Sequence, residues 1–340
     1  MKKHRVLVLV HKDLIPKEGA PKPDEGSVSR MEWDVVTTLR NRGHALLVVG
    51  VHDDLTPIKS SIAEFKPTIV WNLLEAFDDV GVFDQNVVSY LELLKVPYTG
   101  CNPRGLTLAR DKALARKLLS YHRIPAPDFT VVPLERRSVL PKRMSYPLIV
   151  KSLTYESSTG ISQASVVANE EQLEKRVKFI HDTLFTAAIV EQFVNGRELY
   201  VGVLGNHRLR VFPVWEMSFA KMPDDNWRIA TERVKWSVAY QKKHGIDTAE
   251  AKLEDGLAAK VQHLAKRAYR ALELSGYARI DFRMDESGKA YVIEANPNPQ
   301  LAEQEDFAQS AGHVRLSYAH LLERIMALGL EWQPNRMGID

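Results

Sequence analysis

Residues 277 to 301 read YARIDFRMDESGKAYVIEANPNPQL, two strand-like runs around a Ser287-Gly288 turn, with charges where a buried strand would carry apolar groups. Side chains alternate across a strand, so Arg279 and Asp281 share one face while Ile280 and Phe282 share the other. Glu294 and Asn296 oppose Ile293 and Ala295 in the same way. A two-residue loop at Ser287-Gly288 sets Asp281 opposite Glu294, whereas a four-residue loop over 285–288 makes them diagonal neighbours on one face. In either register the four polar groups converge. Two carboxylates and an amide oxygen on one sheet face repel unless a hard cation lies between them, and an oxygen-only set suits Mg2+ or Mn2+. The competing reading is the solvated outer face of an antiparallel hairpin. Pro297 and Pro299, which end the second strand directly after Asn296, favour the rim of a metal site.

The first hundred residues alternate strand and helix: RVLVLV, a helix around RMEWDVVTTLRNRG, HALLVVGV, a helix around PIKSSIAEFK, PTIVWNLL, then DQNVVSYLELLK. That order predicts a doubly wound parallel sheet over 1–100. No G-x-G-x-x-G follows the first strand and no G-x-x-x-x-G-K occurs, so a nucleotide has to bind elsewhere. A helix over LARDKALARKLLSYH is followed by a small α+β unit with strands YPLIVKSL, ASVV and AIVEQF around a helix NEEQLEKRVKFIHD. The last third supplies a second sheet, a long helix DGLAAKVQHLAKRAYRALEL, the charged hairpin, and a closing helix for which Ser317 is the expected N-cap. The expected division is 1–100, 101–197, 198–328 and a tail 329–340, that is, an α/β domain followed by a two-lobed α+β unit. A chain of 340 residues, 45% hydrophobic, has the length and apolar content for several packed cores.

Charge excludes little by itself: the formal net charge is +3 and the basic clusters ERR and QKKHG are short, so no nucleic-acid partner is expected. The lone cysteine, Cys101, fits a reducing compartment. The opening MKKHRVLVLVHKDL has too short an apolar run for a signal peptide, and no stretch approaches a membrane span, so a cytoplasmic location and no membrane partner are expected.

Three features of the small unit suggest nucleotide chemistry. Lys151 ends the apolar strand YPLIVK, where an ammonium either snorkels or meets an anion. The loop SLTYESSTGIS, with Ser157 and Ser158, offers backbone N–H groups that could close over phosphates. In IVEQFVNGRELYVGV, Glu191 and Glu198 are placed to accept from an adenine amino group and from ribose hydroxyls, against the alternative of solubilising edge-strand glutamates.

The succession of Lys112 in RDKALARKLL, Lys151, Glu191 and Glu198, Lys235 in RVKW and then RIDFRMDESGKAYVIEANPNP resembles the ATP-grasp enzymes, and among them the D-alanine:D-alanine ligase group. The resemblance runs from about Val70, through NLLEAF and VPYTGCNPRGLTLARDK, to the closing helix. It implies a two-lobed ATP-grasp fold and an ADP-forming carboxylate–amine ligase that works through an acyl phosphate on small-molecule substrates. By resemblance, Asp281, Glu294 and Asn296 hold two Mg2+ ions, with Mn2+ as a substitute, and Lys112, Lys151 and Lys235 neutralise phosphate oxygens. Arg279 and Lys235 serve the chemistry. Ser157, Ser158, Glu191, the backbone of Gln192 and Val194, and Glu198 bind ATP, Glu75 and Glu303 face substrates, and a homodimer is among the expectations.

Two segments depart from the group. The Gly-Gly turn and following Glu that such ligases use for the first amino acid's ammonium are replaced by KDLIPKEGAPKPDEGSVSRMEWD, where Glu25 and Glu32 are the acidic candidates. After the metal Asn, the Pro-Gly and Ser that serve the second amino acid's carboxylate are replaced by PNPQLAEQEDFAQS, in which Glu303, Glu305 and Asp306 would repel an acceptor carboxylate. D-alanine:D-alanine ligation therefore stands as the alternative to a ligase with a different acceptor, and a non-catalytic ATP-binding module as a more distant one.

Overall fold

The computed structural model describes residues 2–17, 19–24, 26–136, 140–155 and 158–334. Glu25 and Ser157 lie outside the described residues. Strand β1 (Arg5–His11) is flanked by β2 (Ala45–Val51) and β3 (Ile69–Asn72), both parallel to it, in the order β2-β1-β3. Val6 to Val10 are all fully buried, because the central strand of a parallel sheet is covered on both faces; that is why the run shows no alternation. Helices α1 (Arg30–Asn41), α2 (Thr56–Phe65) and α3 (Asp84–Leu93) supply much of the cover.

The helix expected over 108–122 is two helices, α4 (Pro103–Arg110) and α5 (Lys112–Tyr121). Asp111 breaks them: it leaves the helical region and its carboxylate accepts the Leu114 N–H at 2.9 Å, as an N-cap does. Lys112 thereby begins α5, with Arg116 one turn later on the same face.

A second, antiparallel sheet has the order β4-β7-β5-β6, from β4 (Phe129–Val132), β5 (Leu148–Ser152), β6 (Val166–Val167) and β7 (Ala188–Gln192). Helix α6 (Glu170–Leu184) starts at an N-cap, Asn169, and buries Leu173, Val177 and Ile180 in one apolar cluster with Leu148, Val150 and Val190. The opposite face carries Ile149, Lys151 and Glu191, with Ile149 paired to Glu191. The third sheet runs β10-β9-β8-β11-β12, from β8 (Arg197–Leu204), β9 (Arg210–Phe219), β10 (Ile246–Glu250), β11 (Tyr277–Met284) and β12 (Ala290–Pro297). The short helices α7 (Glu232–Trp236) and α8 (Val238–His244) lie between β9 and β10 in the chain. Helix α9 (Leu257–Ala271) shares an apolar cluster with Val201, Ile280, Phe282 and Val292. Helix α10 (Asp306–His313) packs on β8 and β9. Gly196, at φ 145°, carries the chain from the second sheet to the third; a Cβ there would meet the Met284 carbonyl at 2.0 Å.

The closing helix α11 (Tyr318–Glu331) runs past residue 328 and packs with α1 and β3 in one core. Ser317 precedes it without capping it: its hydroxyl pairs with His320 Nδ1 at 2.8 Å. Among the described residues no helix is long and apolar enough to cross a membrane.

Candidate active site

Asp281 stands opposite Glu294, and Arg279 opposite Asn296. This is one of the two expected registers, but neither expected loop produces it. Asp285 and Lys289 close a three-residue loop in which Gly288 has φ 79°, and a bulge between Asp281 and Phe282 absorbs the extra residue at Ile293. The bulge has a consequence for both faces. Val292 turns to the core face beside Phe282, both fully buried, while Ile293 leaves that face and lines the cleft, contrary to its expected place opposite Glu294. The Ile293 carbonyl, outside the regular pairing, accepts from the Arg116 guanidinium.

The cleft holds about 790 Å³, open solvent included, between the second and third sheets. Asp281 and Glu294 form part of its wall. Asp281 is buried; both its oxygens accept from Arg279, at 2.7 and 2.9 Å, and Oδ2 also accepts the Asn296 amide at 2.9 Å. Burial raises its pKa, against the pull of Arg279. Asn296 spends its NH2 on Asp281, so its carbonyl oxygen is the atom left to act as a ligand. Glu294 Oε1 lies 3.3 Å from Lys112 Nζ; burial favours its neutral form, but Lys112, Lys235 and Lys151 bring its pKa below the ordinary value. Two carboxylates, one kept ionised, and a free amide oxygen fit a hard divalent cation.

Lys112, Lys151 and Lys235 all line the same cleft. Lys112 also donates to the Tyr155 carbonyl at 2.5 Å. Lys151 is not snorkelling: its ammonium donates to Glu191 Oε2 at 2.8 Å, and Arg116 Nε donates to Glu191 Oε1 at 2.6 Å. Glu191 is fully buried on β7, an interior strand, and although burial opposes ionisation the two cations hold its pKa down to about 2. Its carboxylate therefore orients Lys151.

Glu198 is likewise no edge-strand glutamate, since β8 is the middle strand of its sheet. Tyr200 donates to its Oε1 at 2.9 Å, and Arg283 and the Ala230 amide to Oε2 at 3.1 and 3.3 Å. Gln192 and Val194 line the cleft; the Gln192 N–H donates to the Asp128 carbonyl at 2.8 Å and the Val194 carbonyl accepts from Arg283 at 3.1 Å. Ser158 also lines it and is tied across to the third sheet's side of the cleft, its hydroxyl donating to the Ala230 carbonyl at 2.7 Å.

Four expected residues stand off the cleft wall. Arg279 lies behind Asp281, its guanidinium stacked 4.6 Å from the Tyr200 ring centre, and Asn296 sits beside it. Glu303 faces Lys22 at 3.5 Å, and its N–H donates to Asp34 at 3.0 Å. Glu75 follows β3 with its tip exposed but ringed by protein atoms, which raises its pKa against the pull of Arg110. Beside it Glu32 on α1 is buried, its Oε2 has no hydrogen-bond partner, and burial lifts its pKa to about 7. Sequence reading missed Arg116 and Arg283. Arg283 shares the alternation of Arg279 and Asp281 and was legible there; Arg116 is marked only by standing one helical turn after Lys112.

The family model described as D-ala D-ala ligase C-terminus matches residues 118–327. A D-alanine--D-alanine ligase of Desulfotalea psychrophila is 34% identical over 75% of this chain and 77% of its own length. An uncharacterized protein, y4sG, of Sinorhizobium fredii is 30% identical over 89% of this chain and 88% of its own. The crystal structure of a D-alanine--D-alanine ligase from Bacillus anthracis complexed with ATP superposes with a TM-score of 0.73 at 18% identity, covering 96% of this chain and 98% of that one. The split two-sheet cleft, its facing carboxylates and these matches agree: the chain belongs to the D-alanine--D-alanine ligase family and has its ATP-grasp fold.

Proposed function

We propose that the chain joins a small carboxylate to an amine, with ATP converted to ADP and phosphate, in the cleft between the second and third sheets. The observation that carries this reading is the convergence of Asp281 and Glu294 with three lysines around one cleft. A donor carboxylate oxygen attacks the γ-phosphorus and the bond to the β-bridging oxygen breaks, giving ADP and an acyl phosphate. The amine then attacks the acyl carbon, loses a proton, and the carbon–oxygen bond to phosphate breaks. Neither step needs a protein nucleophile, so the residues act by positioning and charge neutralisation.

Lys151, fixed by Glu191, and Lys112, fixed by the Tyr155 carbonyl, present ammonium groups to the phosphates at low entropic cost. Asp281, Glu294 and Asn296 hold the metal, two Mg2+ ions or Mn2+ in their place, which supplies neutralisation of phosphate charge when bound. Arg279 orients Asp281 and stabilises the acyl phosphate and the oxyanion of the tetrahedral intermediate. Ser158, with Ser157, closes over the phosphates, the Gln192 and Val194 backbone reads adenine, and Glu198 takes the ribose. Glu32, buried with its Oε2 unpartnered, and Glu75 receive the first substrate's ammonium. The units 1–100, 101–197 and 198 onwards form the functional division, with the last unit running to the end of α11, in a cytoplasmic and homodimeric enzyme.

Acceptor identity is the open choice between two substrates. The names of the relatives favour D-alanine; Asp306, whose Oδ2 lies 4.0 Å from Arg279 Nη1, favours an amine without a free carboxylate. ADP release across a panel of amino acids and amines, with product masses, tests the reading. An amide product with stoichiometric ADP supports it, and so does its loss in folded Asp281→Asn; undiminished ADP release by that variant would refute the metal assignment.

A further inference from the structure

His11, His52 and Asp79 bring ligand atoms together at the carboxyl edge of the parallel sheet, apart from the nucleotide cleft. His11 ends β1, His52 directly follows β2, and Asp79 lies in the turn after β3. The Asp78 N–H donates to the His52 carbonyl at 2.8 Å, which pins that turn to the end of β2. The two imidazoles meet edge to face with centres 5.4 Å apart, and one ligand atom from each of the three residues lies within 4.8 Å of the others.

The spacing is close enough for small side-chain shifts to bring the three groups onto one ion. In a tetrahedral site with bonds of about 2.0–2.1 Å, neighbouring ligand atoms stand roughly 3.3–3.4 Å apart. Asp79 Oδ2 is 3.1 Å from His52 Nε2, and its Oδ1 is 3.7 Å from His11 Nε2, too long for a hydrogen bond. His11 Nε2 is accordingly a shielded atom with no hydrogen-bond partner. At the other nitrogens, His11 Nδ1 accepts the Asp13 backbone N–H at 3.3 Å, with the Asp13 carboxylate 3.6 Å away and beyond hydrogen-bond reach, and Asp53 Oδ1 lies 3.3 Å from His52 Nδ1. The Asp13 N–H holds the His11 ring, and the Asp53 carboxylate beside His52 raises that ring's basicity, as an outer partner of a metal-bound histidine does.

We propose that His11, His52 and Asp79 bind a divalent transition ion of the Zn2+ class through three protein ligands, with the fourth position open to water or an anion. Two imidazoles and one carboxylate suit such an ion, whereas the oxygen-only set on β11 and β12 suits Mg2+. Lys12, whose charge reaches both His52 and Asp79, weakens the site without occupying it.

The test is a Co2+ titration of the full chain with Mg2+ in excess. Saturable binding of a single ion, with the intense visible absorption of four-coordinate Co2+ and displacement by Zn2+, is the expected result. His52→Gln and Asp79→Asn weaken that binding by at least about tenfold at an unchanged thermal midpoint. Asp78→Asn is the control, because Asp78 and Asp53 surround the same His52 in an alternative set. Asp78 and Asp79 have φ of 53° and 57°, a region asparagine tolerates, so both variants fold. Absence of the four-coordinate spectrum, native affinity retained in His52→Gln and Asp79→Asn, or loss in Asp78→Asn with Asp79→Asn unaffected would each overturn the proposal.

Discussion

Glu191→Gln removes the one anion from a trio that is almost wholly buried, while keeping its shape. Arg116 is 2% exposed and Lys151 11%, and Glu191 is the counter-ion of both. Breaking a buried pair by neutralising one partner costs about 3–5 kcal/mol, because the remaining cations stay desolvated. The pKa gives a second route to the size. Glu191 falls from an ordinary 4.5 to about 2, and at 1.36 kcal/mol per unit that shift corresponds to roughly 3 kcal/mol. For a cooperatively unfolding unit of about 150–250 residues, about 3 kcal/mol lowers the thermal midpoint by roughly 6–12 °C. The sign of the pH dependence follows from a depressed carboxyl. Its stabilisation is present in full above the unfolded pKa of 4.5 and is lost as pH falls towards 2. Midpoints of the native and Glu191→Gln proteins, measured by calorimetry, should differ most above pH 4.5 and approach each other in stronger acid. The variant should also raise KM for ATP, since Lys151 loses the group that orients it. A midpoint within 1 or 2 °C of the native protein at neutral pH, roughly the effect of a surface substitution, would refute this account of the trio.

Glu32→Gln should stabilise the substrate-free protein at pH 8, where the native carboxyl, raised to about 7 by burial, is ionised with no cationic partner to offset it, and the difference should vanish below pH 4.5; the same variant should raise KM for the first substrate, and calorimetry with steady-state kinetics reads both. Arg283→Met leaves Glu198 without its nearest guanidinium and should raise KM for ATP about tenfold, with kcat reduced less; an unchanged KM would assign Arg283 to packing alone. Changing Glu303 to Gln, Glu305 to Gln and Asp306 to Asn together should shift the kcat/KM ratio of cationic over zwitterionic acceptors by about an order of magnitude, and a flat ratio at retained activity would return the acceptor to D-alanine.

Much of the chemistry was legible because it depends on period and spacing. Alternation alone put Arg279 with Asp281 and Glu294 with Asn296, and an unbroken apolar run announced the central parallel strand. The site was partly legible for the same reason: a lysine ending a buried strand needs an anion wherever the fold places it, although the anion Lys151 found is Glu191, forty residues on. The rest was decided by contacts that sequence does not order. The bulge at Ile293 depends on β12 meeting both a three-residue loop and the α9 core, and it moved one apolar side chain to the cleft and another to the core. The break at Asp111 depends on a cap that competes with helix continuity, and it sets Lys112 and Arg116 where they reach Glu294 and Glu191. His11 and His52, forty-one residues apart with no motif between them, meet only because their strands are parallel neighbours in register. Sequence sets which faces are polar, since that follows from local geometry; tertiary structure sets which polar faces meet, since burial and register are properties of the whole packed chain.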